Sequence, residues 1–419
     1  MDAQLASCPN KAGSGCPFRR PAVSAHGHNH LRVAWRGWTR VRAQKYYPGP
    51  LRRLQVEGVL TLSFPEGAEE EGVRMKATKN RRIVLATRPT GEPKDENFRL
   101  EETDIPTPGE GEALLRTVYL SLDPYMRGRM NAGPSYAPPV EIGQVMEGGT
   151  FSEVVESKTA ELGPGDLVVG YTGWQEYSVA GVKGLRRIDP KLAPISTALG
   201  ILGMPGLTAY TGLMNIGQPK AGETVVVAAA AGAVGSAVGQ IAKIKGCRAV
   251  GIAGGKQKCD LVLNDFGFDA CADHRSGTFA KELKAVCPQG VDVYFENVGG
   301  HVFEAVLPLM NPFGRVPVCG LISQYNATGL PSGPDRVPLL LGAVLVKRLT
   351  FRGFIVLDFV GQQAEFEREM AQWMRDGRVK YREDVVDGLH NAVAAFKGLF
   401  RGQNVGKLLV RVAPEPGKS

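Results

Sequence analysis

The spacing of apolar and polar positions separates two differently patterned regions of the chain. Between about residues 83 and 190, short apolar runs are broken by Gly and Pro, as at 113–122, 166–170 and 174–179. This pattern predicts an all-β, partly closed barrel. From about residue 200, β-branched runs alternate with helical periods, and the candidate strands are 225–229, 249–253, 270–272, 292–295 and 314–319. Such alternation predicts a doubly wound α/β sheet.

The last fifty residues return to a mixed pattern. An amphipathic helix is predicted over 364–375, a second helix over 389–399 and a terminal strand over 407–412. We expect this tail to rejoin the β-rich domain, so that the α/β domain is an insertion within it.

Residues 1–74 show neither a helical nor a strand period and carry scattered Pro, Gly and Arg. Their composition predicts a largely disordered extension. An Arg-rich, acid-poor leader is also typical of an organellar transit peptide. Because the first well-patterned segment starts at Met75, we favour an over-extended gene start as the explanation.

Charge and cysteine usage narrow the function classes. The formal net charge is +8, but residues 1–55 alone hold eight Arg, two Lys and one acid, so the patterned body is nearly neutral. We therefore expect neither a nucleic-acid partner nor, without an apolar stretch of ~18 residues, a membrane span. The five cysteines after residue 55 form no C-x-x-C pair, which favours a reducing, cytoplasmic location.

The most informative segment is the turn that follows the first α/β strand. The run 225–229 (VVVAA) stops in 230–235 (AAGAVG), and a helical period begins there. On the G-x-G-x-x-G pattern, Ala230 takes the first place, and Gly232 and Gly235 take the second and third. A strand, tight turn and helix start suit a dinucleotide pyrophosphate. Helix–strand packing alone also produces small-residue turns, and this alternative stays open.

The end of the next strand discriminates between NAD and NADP. An NAD enzyme places an acidic residue there for the ribose hydroxyls, whereas this chain reads 254–258 (GGKQK). A lysine holds a 2′-phosphate through a charge-assisted contact that a carboxylate would oppose. We therefore predict NADPH as the cofactor, the alternative being that Lys256 and Lys258 are ordinary solvated charges.

Six segments together resemble the zinc-independent branch of the medium-chain dehydrogenase/reductase family, which holds leukotriene B4 dehydrogenase/prostaglandin reductase and the 2-alkenal (double-bond) reductases. They are 121–128 (SLDPYMRG), 171–177 (YTGWQEY), 203–210 (GMPGLTAY), 294–300 (YFENVGG), 322–326 (ISQYN) and 400–407 (FRGQNVGK). The resemblance implies a GroES-like β-barrel domain (75–198 and 366–419) with an inserted Rossmann domain (199–365). It also implies a homodimer formed by sheet extension, with the strand-like run 349–356 as the candidate edge.

The zinc-dependent members of this family hold a catalytic metal with a Cys and a Gly-His-Glu element. The corresponding segments here read 121–124 (SLDP) and 141–144 (EIGQ), and residues 76–246 contain neither Cys nor His. A catalytic zinc needs three protein ligands, so we expect no metal.

The resemblance implies hydride transfer from NADPH to the conjugated C=C bond of an enal or enone. This chemistry needs a hydrogen-bond donor at the carbonyl oxygen and a proton for the α-carbon. The candidate catalytic residues are Tyr325, Tyr125 and Tyr136. The ribose 2′-hydroxyl of the nicotinamide is an alternative donor, and pocket shaping is an alternative role for each tyrosine.

The resemblance also assigns the cofactor contacts. Gly232, Ala233, Val234 and Gly235 form the pyrophosphate turn, Gly254 and Lys258 face the 2′-phosphate, and Asn297, Asn404 and Gly406 lie along the cofactor. Many relatives carry a tyrosine beside the 2′-phosphate where this chain has His274, followed by Arg275 as a second cation. His301 and His390 fall on predicted helices, where we expect surface positions.

Two other functions remain open at this level. Zinc-free relatives reduce quinones by a similar hydride step, so an NADPH:quinone reductase is one alternative. A non-catalytic NADPH-binding protein is the other.

Overall fold

The computed structural model describes residues 78–417 and, for their backbone only, three earlier strands. These strands are β1 (His30–Ala34), β2 (Leu54–Val56) and β3 (Val59–Ser63), which form an antiparallel sheet in the order β1-β3-β2. No strand was predicted there. The rest of the predicted disordered extension, 1–74, lies outside the described residues. Residues 1–76 and 77–419 are two separate compact units.

The first part of the second unit is β-rich, as predicted. It comprises β4 (Lys79–Leu85), β5 (Phe98–Asp104), β6 (Glu112–Ser121), helix α1 (Met126–Arg129), β7 (Thr150–Ser157), β8 (Leu167–Gly170), β9 (Tyr177–Gly181) and β10 (Arg186–Arg187). Strand β6 pairs with β7 along its length and also with β9. This central position explains its nearly continuous apolar sequence, since both of its faces are covered.

The second part alternates strands and helices. Its elements are α2 (Met204–Thr211), β11 (Thr224–Ala228), α3 (Ala233–Ile244), β12 (Arg248–Ala253), α4 (Lys256–Asn264), β13 (Ala270–Asp273), α5 (Phe279–Val286), β14 (Val291–Phe295), α6 (Gly300–Val306), β15 (Met310–Val318), α7 (Val337–Lys347) and β16 (Thr350–Gly353). The strands form a six-stranded sheet in the order β13-β12-β11-β14-β15-β16, and all of its pairs are parallel. The predicted doubly wound sheet is therefore confirmed.

The tail contains α8 (Gln363–Arg375), β17 (Glu383–Asp387), α9 (Ala392–Phe400) and β18 (Lys407–Arg411). Strand β18 pairs with β6 and β17, so the β-rich sheet runs β10-β8-β7-β6-β18-β17. Helix α8 packs Phe366, Met370 and Trp373 into the core that lies on α3 and β11. The predicted boundary at 366 thus falls inside a helix of that core.

Within residues 78–417, every helix is too short or too polar to cross a bilayer.

Candidate cofactor and substrate site

The turn after β11 is tightly packed at its two glycines. A Cβ at Gly235 would lie 2.3 Å from the carbonyl oxygen of Ala229, and one at Gly232 would lie 3.2 Å from the same atom. Ala229 itself has a left-handed φ of 53°. Helix α3 therefore starts directly against the strand end, with the N–H groups of Ala233 and Val234 in its first turn. The N–H groups of a first turn have no intrahelical acceptor and suit a pyrophosphate.

The C-terminal segment crosses this turn. The Gly406 N–H donates to the Ala231 carbonyl at 2.9 Å, and a Cβ at Gly406 would lie 2.1 Å from the Arg382 carbonyl oxygen. Asn404 donates its side-chain amide to the Gly406 carbonyl at 3.0 Å. On the other side of the turn, the Asn297 amide donates to the Ala228 carbonyl at 2.8 Å. The structure thus brings both predicted asparagines to the end of β11.

Three basic side chains, Lys258, His274 and Arg275, lie near the end of β12. We call this group the phosphate corner. A Cβ at Gly254 would lie 2.8 Å from Nε2 of His274 and 3.0 Å from Nε of Arg275. Lys258 donates from Nζ to the Gly402 carbonyl at 2.8 Å. Burial lowers the pKa of Lys258, and the charge of Arg275 lowers it further. The predicted 2′-phosphate residues therefore converge, although they come from separate strand ends.

Sequence reasoning missed Asp273, an acid that lies directly before His274 and Arg275. Asp273 ends β13, and its Oδ1 accepts the Gly255 N–H at 2.8 Å and the Arg275 N–H at 2.9 Å. Burial opposes its ionisation, but these two N–H groups lower the pKa of the carboxyl overall. The position of an Asp just after an apolar run was the available signal, because Asp caps turns in this way.

These contacts fit an adenosine 2′-phosphate. His274 and Arg275 flank the position of Gly254, where a Cβ would crowd both side chains. The Asp273 carboxylate is committed to backbone donors. The corner therefore presents basic side chains, with the Asp273 carboxylate already occupied.

Two of the predicted tyrosines have buried hydroxyl groups. The Tyr125 hydroxyl, at the start of α1, is buried and has no hydrogen-bond partner among residues 78–417. Burial raises the pKa of Tyr125 well above its usual value, and Asp123 raises it further. The Tyr325 hydroxyl accepts the Leu321 N–H at 3.4 Å, and burial also raises its pKa. Each O–H is therefore retained at neutral pH.

The third tyrosine stands on an exposed loop. Tyr136 has 54% of its surface exposed, and the buried Arg129 guanidinium lies 4.2 Å from its ring centroid. Arg129 also donates to the Ala137 carbonyl at 2.7 Å, and its Nε lies 3.3 Å from Oε2 of Glu147. Arg129, which the sequence analysis did not single out, thus fixes the Tyr136 loop.

Long-range contacts bring the three tyrosines together. Arg127 of α1 donates from Nε to Oδ1 of Asn326 at 3.2 Å, which ties α1 to the residue after Tyr325. The Arg129 guanidinium lies 5.9 Å from the ring centroid of Tyr125 and 4.2 Å from that of Tyr136, so these two rings share one cation. No sequence signal linked the Arg127 and Asn326 segments.

A buried ion pair occupies the segment that corresponds to the metal-binding Cys of zinc-dependent relatives. Lys407 of β18 donates to Oδ1 of Asp123 at 2.7 Å and to the Leu122 carbonyl at 2.9 Å, and Ser121 donates to Oδ2 of Asp123. The described part of the chain contains no cluster of three or more His, Cys, Asp or Glu placed to hold a metal ion.

The two remaining histidines differ in their surroundings. His390 is exposed, as expected. His301 is also exposed, but its ring centroid lies 5.5 Å from that of His274. The sequence-based view of His301 as a mere surface residue therefore omitted a contact with the phosphate corner.

Two family models and several characterised proteins match most of the residues after 80. The model described as the N-terminal domain of oxidoreductase matches residues 81–188, and that of zinc-binding dehydrogenase matches 233–376. The chain is 57% identical to the NADPH-dependent curcumin reductase of Escherichia coli (strain K12), over 80% of this chain and 97% of that protein. It is 40% identical to the NADP(+)-dependent 2-alkenal reductase of Nicotiana tabacum, over 80% of this chain and 98% of that protein.

A solved structure gives the same result. CurA from Vibrio vulnificus, in complex with NADPH, matches with a TM-score of 0.78 and 54% identity, over 80% of this chain and all of that one (100%).

Proposed function

The chain belongs to the zinc-independent reductase branch of the medium-chain dehydrogenase/reductase family, and we propose that it reduces the conjugated C=C bond of α,β-unsaturated aldehydes and ketones. It has the predicted GroES-like and Rossmann fold class and is an NADP-dependent oxidoreductase with NADPH as its cofactor. The observation that carries the substrate class is the Tyr125 hydroxyl, which is buried and has no hydrogen-bond partner within residues 78–417, so that its O–H is free to donate to a carbonyl oxygen.

The chain's own residues divide the task of holding NADPH. The first turn of α3, with Ala233, Val234 and Gly235, binds the pyrophosphate through backbone N–H groups. Lys258 and Arg275 hold the 2′-phosphate with charge-assisted hydrogen bonds. Asn297 and the segment 404–406 flank the same turn, as their contacts with 228 and 231 indicate.

Bound NADPH supplies a hydride to the β-carbon of the substrate. The charge that develops then spreads to the carbonyl oxygen, which becomes an enolate oxygen. Tyr325 donates a hydrogen bond from its O–H to that oxygen, and because burial raises its pKa the phenol stays protonated. The free hydroxyl of Tyr125 serves as the second donor.

Protonation of the α-carbon completes the reduction. Tyr136 is the exposed member of the cluster, so it connects the site to solvent, from which this proton comes. In a conjugated substrate, the charge that follows hydride addition is delocalised onto the carbonyl oxygen. A hydrogen-bond donor is therefore enough to stabilise it, whereas an isolated ketone needs stronger polarisation of its carbonyl group.

The direct test is NADPH oxidation with trans-2-nonenal, run beside NADH and beside nonanal as the saturated control. We expect oxidation only with NADPH and only with the enal. Turnover of a simple quinone without turnover of the enal would reassign the chain as a quinone reductase. Tight NADPH binding without turnover of either would assign a binding protein.

We also propose a homodimer that uses one edge of the parallel sheet. Strand β16 ends the described sheet, and α7 beside it has no buried residue. Apolar side chains of α7 are exposed, among them Leu339 at 71%, Leu345 at 77% and Val346 at 69%. Such a contiguous apolar patch marks an interface.

Light scattering on the L345E variant tests this assembly. We expect the wild-type dimer mass to fall to the monomer mass. The matched control is L192E, which alters an equally apolar residue, 59% exposed, outside α7. A monomeric wild type contradicts the proposal.

A further inference from the structure

A pair of histidines lies beside the proposed 2′-phosphate contacts. His274 follows β13, and its Nε2 points at Gly254, at 2.8 Å from the position a Cβ would take there. His301, in the first turn of α6, approaches it with a ring-centroid distance of 5.5 Å, and its Nε2 lies 3.3 Å from the His274 carbonyl oxygen. The two rings are tilted rather than stacked, and Phe279 closes the other side of His301 at 6.1 Å.

Charged groups surround His274 from three elements. Burial lowers its pKa, and His301 of α6, the adjacent Arg275 and Lys258 of α4 lower it further, whereas Asp273 raises it. The Asp273 carboxylate is already bound to the N–H groups of Gly255 and Arg275. The imidazole of the free protein is therefore neutral at neutral pH, in a corner with an excess of positive charge.

A phosphate dianion in this corner reverses that balance. It adds about two negative charges next to an imidazole that its positive neighbours keep neutral. Opposite charge within about 4–6 Å favours the charged form of a titrating group. We propose that His274 takes up a proton when the 2′-phosphate of NADPH binds, so that discrimination against NADH increases as the pH falls.

The direction of the pH dependence of NADPH affinity follows from the linkage between proton binding and cofactor binding. The complex binds more protons than the free protein, so the affinity for NADPH rises as the pH falls through the pKa of His274 in the complex. The gain ends below the pKa of the free protein, where both states are protonated. Between these limits the affinity changes by up to about tenfold per pH unit. A tyrosine here, as in many relatives, would donate a hydrogen bond without this dependence, because it does not titrate near neutrality.

Titration calorimetry at about pH 7.5 tests the proposal, because the phosphate itself is then almost fully ionised. Repeating each titration in two buffers of different ionisation enthalpy gives the number of protons taken up per ligand. We expect net proton uptake with NADPH and none with NADH. In H274Y the uptake should vanish, while NADPH still binds through Lys258 and Arg275.

Histidine NMR provides a second readout that does not depend on the heat of ligand binding. The chain has only six histidines, three of them within residues 1–30, so ¹³Cε1-histidine NMR resolves His274 by comparison with H274Y. Its titration midpoint should rise on adding NADPH and stay unchanged with NADH. In H301N, loss of the neighbouring imidazole should raise the midpoint in the free protein and reduce the proton uptake.

The outcomes separate this inference from the cofactor contacts on which it rests. Strong NADPH preference with equal proton uptake for NADPH and NADH would overturn the role of His274 and leave Lys258 and Arg275 in place. Equal affinities for NADPH and NADH at every pH would contradict the 2′-phosphate corner itself.

Discussion

The cofactor side and the tyrosine side of the site are built in opposite ways. The cofactor side uses backbone groups packed so closely that a Cβ at Gly235 or Gly406 would lie within 2.3 Å of a carbonyl oxygen. The tyrosine side uses side chains on loops, held by Arg127, Arg129 and Lys407. Sterics therefore fix the first region, and polar contacts between distant segments fix the second. The first should tolerate almost no substitution, and the second should respond in a graded manner.

The largest loss of stability should come from breaking the buried ion pair between Lys407 and Asp123. K407M leaves the Asp123 carboxylate buried without its cation, which costs about 3–5 kcal/mol in the free energy of unfolding. Urea denaturation measures it. The control K79M removes an exposed partner of Asp104 and should change nothing measurable. Equal stability of K407M and K79M would mean that Asp123 does not need its cation.

The next effect should come from the closest packing on the cofactor side. G235A forces the start of α3 away from Ala229 and should cost about 1–3 kcal/mol of stability, together with more than about tenfold in NADPH affinity. The control G181A places a methyl where nothing lies within 4 Å, at a φ of −75° that alanine adopts, and should not destabilise the protein. Wild-type affinity in G235A would remove the steric argument for this turn.

Removing a cation from the phosphate corner should have a smaller effect, and one that is selective for NADPH over NADH. K258A removes one charge-assisted contact, worth about 2 kcal/mol, and should weaken NADPH binding roughly 30-fold without changing NADH binding. Fluorescence titration with both cofactors measures this. Lys256 supplies the matched control, because it is exposed and paired with Asp260, so K256A should bind both cofactors as the wild type does. A parallel loss for NADH would show that Lys258 acts on folding instead.

The smallest effect, a change in kcat, should distinguish the roles of Tyr325 and Tyr136. Y325F removes a donor to the enolate oxygen but leaves Tyr125, so kcat for an enal should fall about tenfold, or ~1.4 kcal/mol, at nearly constant KM. Y136F keeps the ring on Arg129 and should change kcat less. A larger loss in Y136F than in Y325F would exchange their roles.

Much of the cofactor side could be predicted because its signals are local. The run 225–229, the small residues after it and the missing acid at 254–258 lie within single strand–turn–helix units, where periodicity and turn chemistry apply. The structure places the predicted strands within a few residues, β15 starting earlier at Met310. The helix predicted over 389–399 begins as a short 3-10 turn, and α9 starts at Ala392.

The tyrosine side was predictable only as a set of residue types. The motifs singled out Tyr125, Tyr136 and Tyr325 through a family resemblance, yet nothing in their spacing predicted that Arg127 reaches Asn326. Similarly, His301 lies on its own helix, and its contact with His274 depends on the packing of α6 against α5, the helix that follows β13.

The sequence by itself determined the β-rich and α/β patterns of the fold, and it predicted the nucleotide-binding turn after β11 from the residues of that turn, because each of these signals lies in residues adjacent along the chain. Only the tertiary structure decided which distant groups meet: Gly406 on Ala231, Lys407 on Asp123 and His301 on His274. The physical reason is that such contacts depend on how whole elements pack. Packing is set by the summed burial of many side chains, which no local period records.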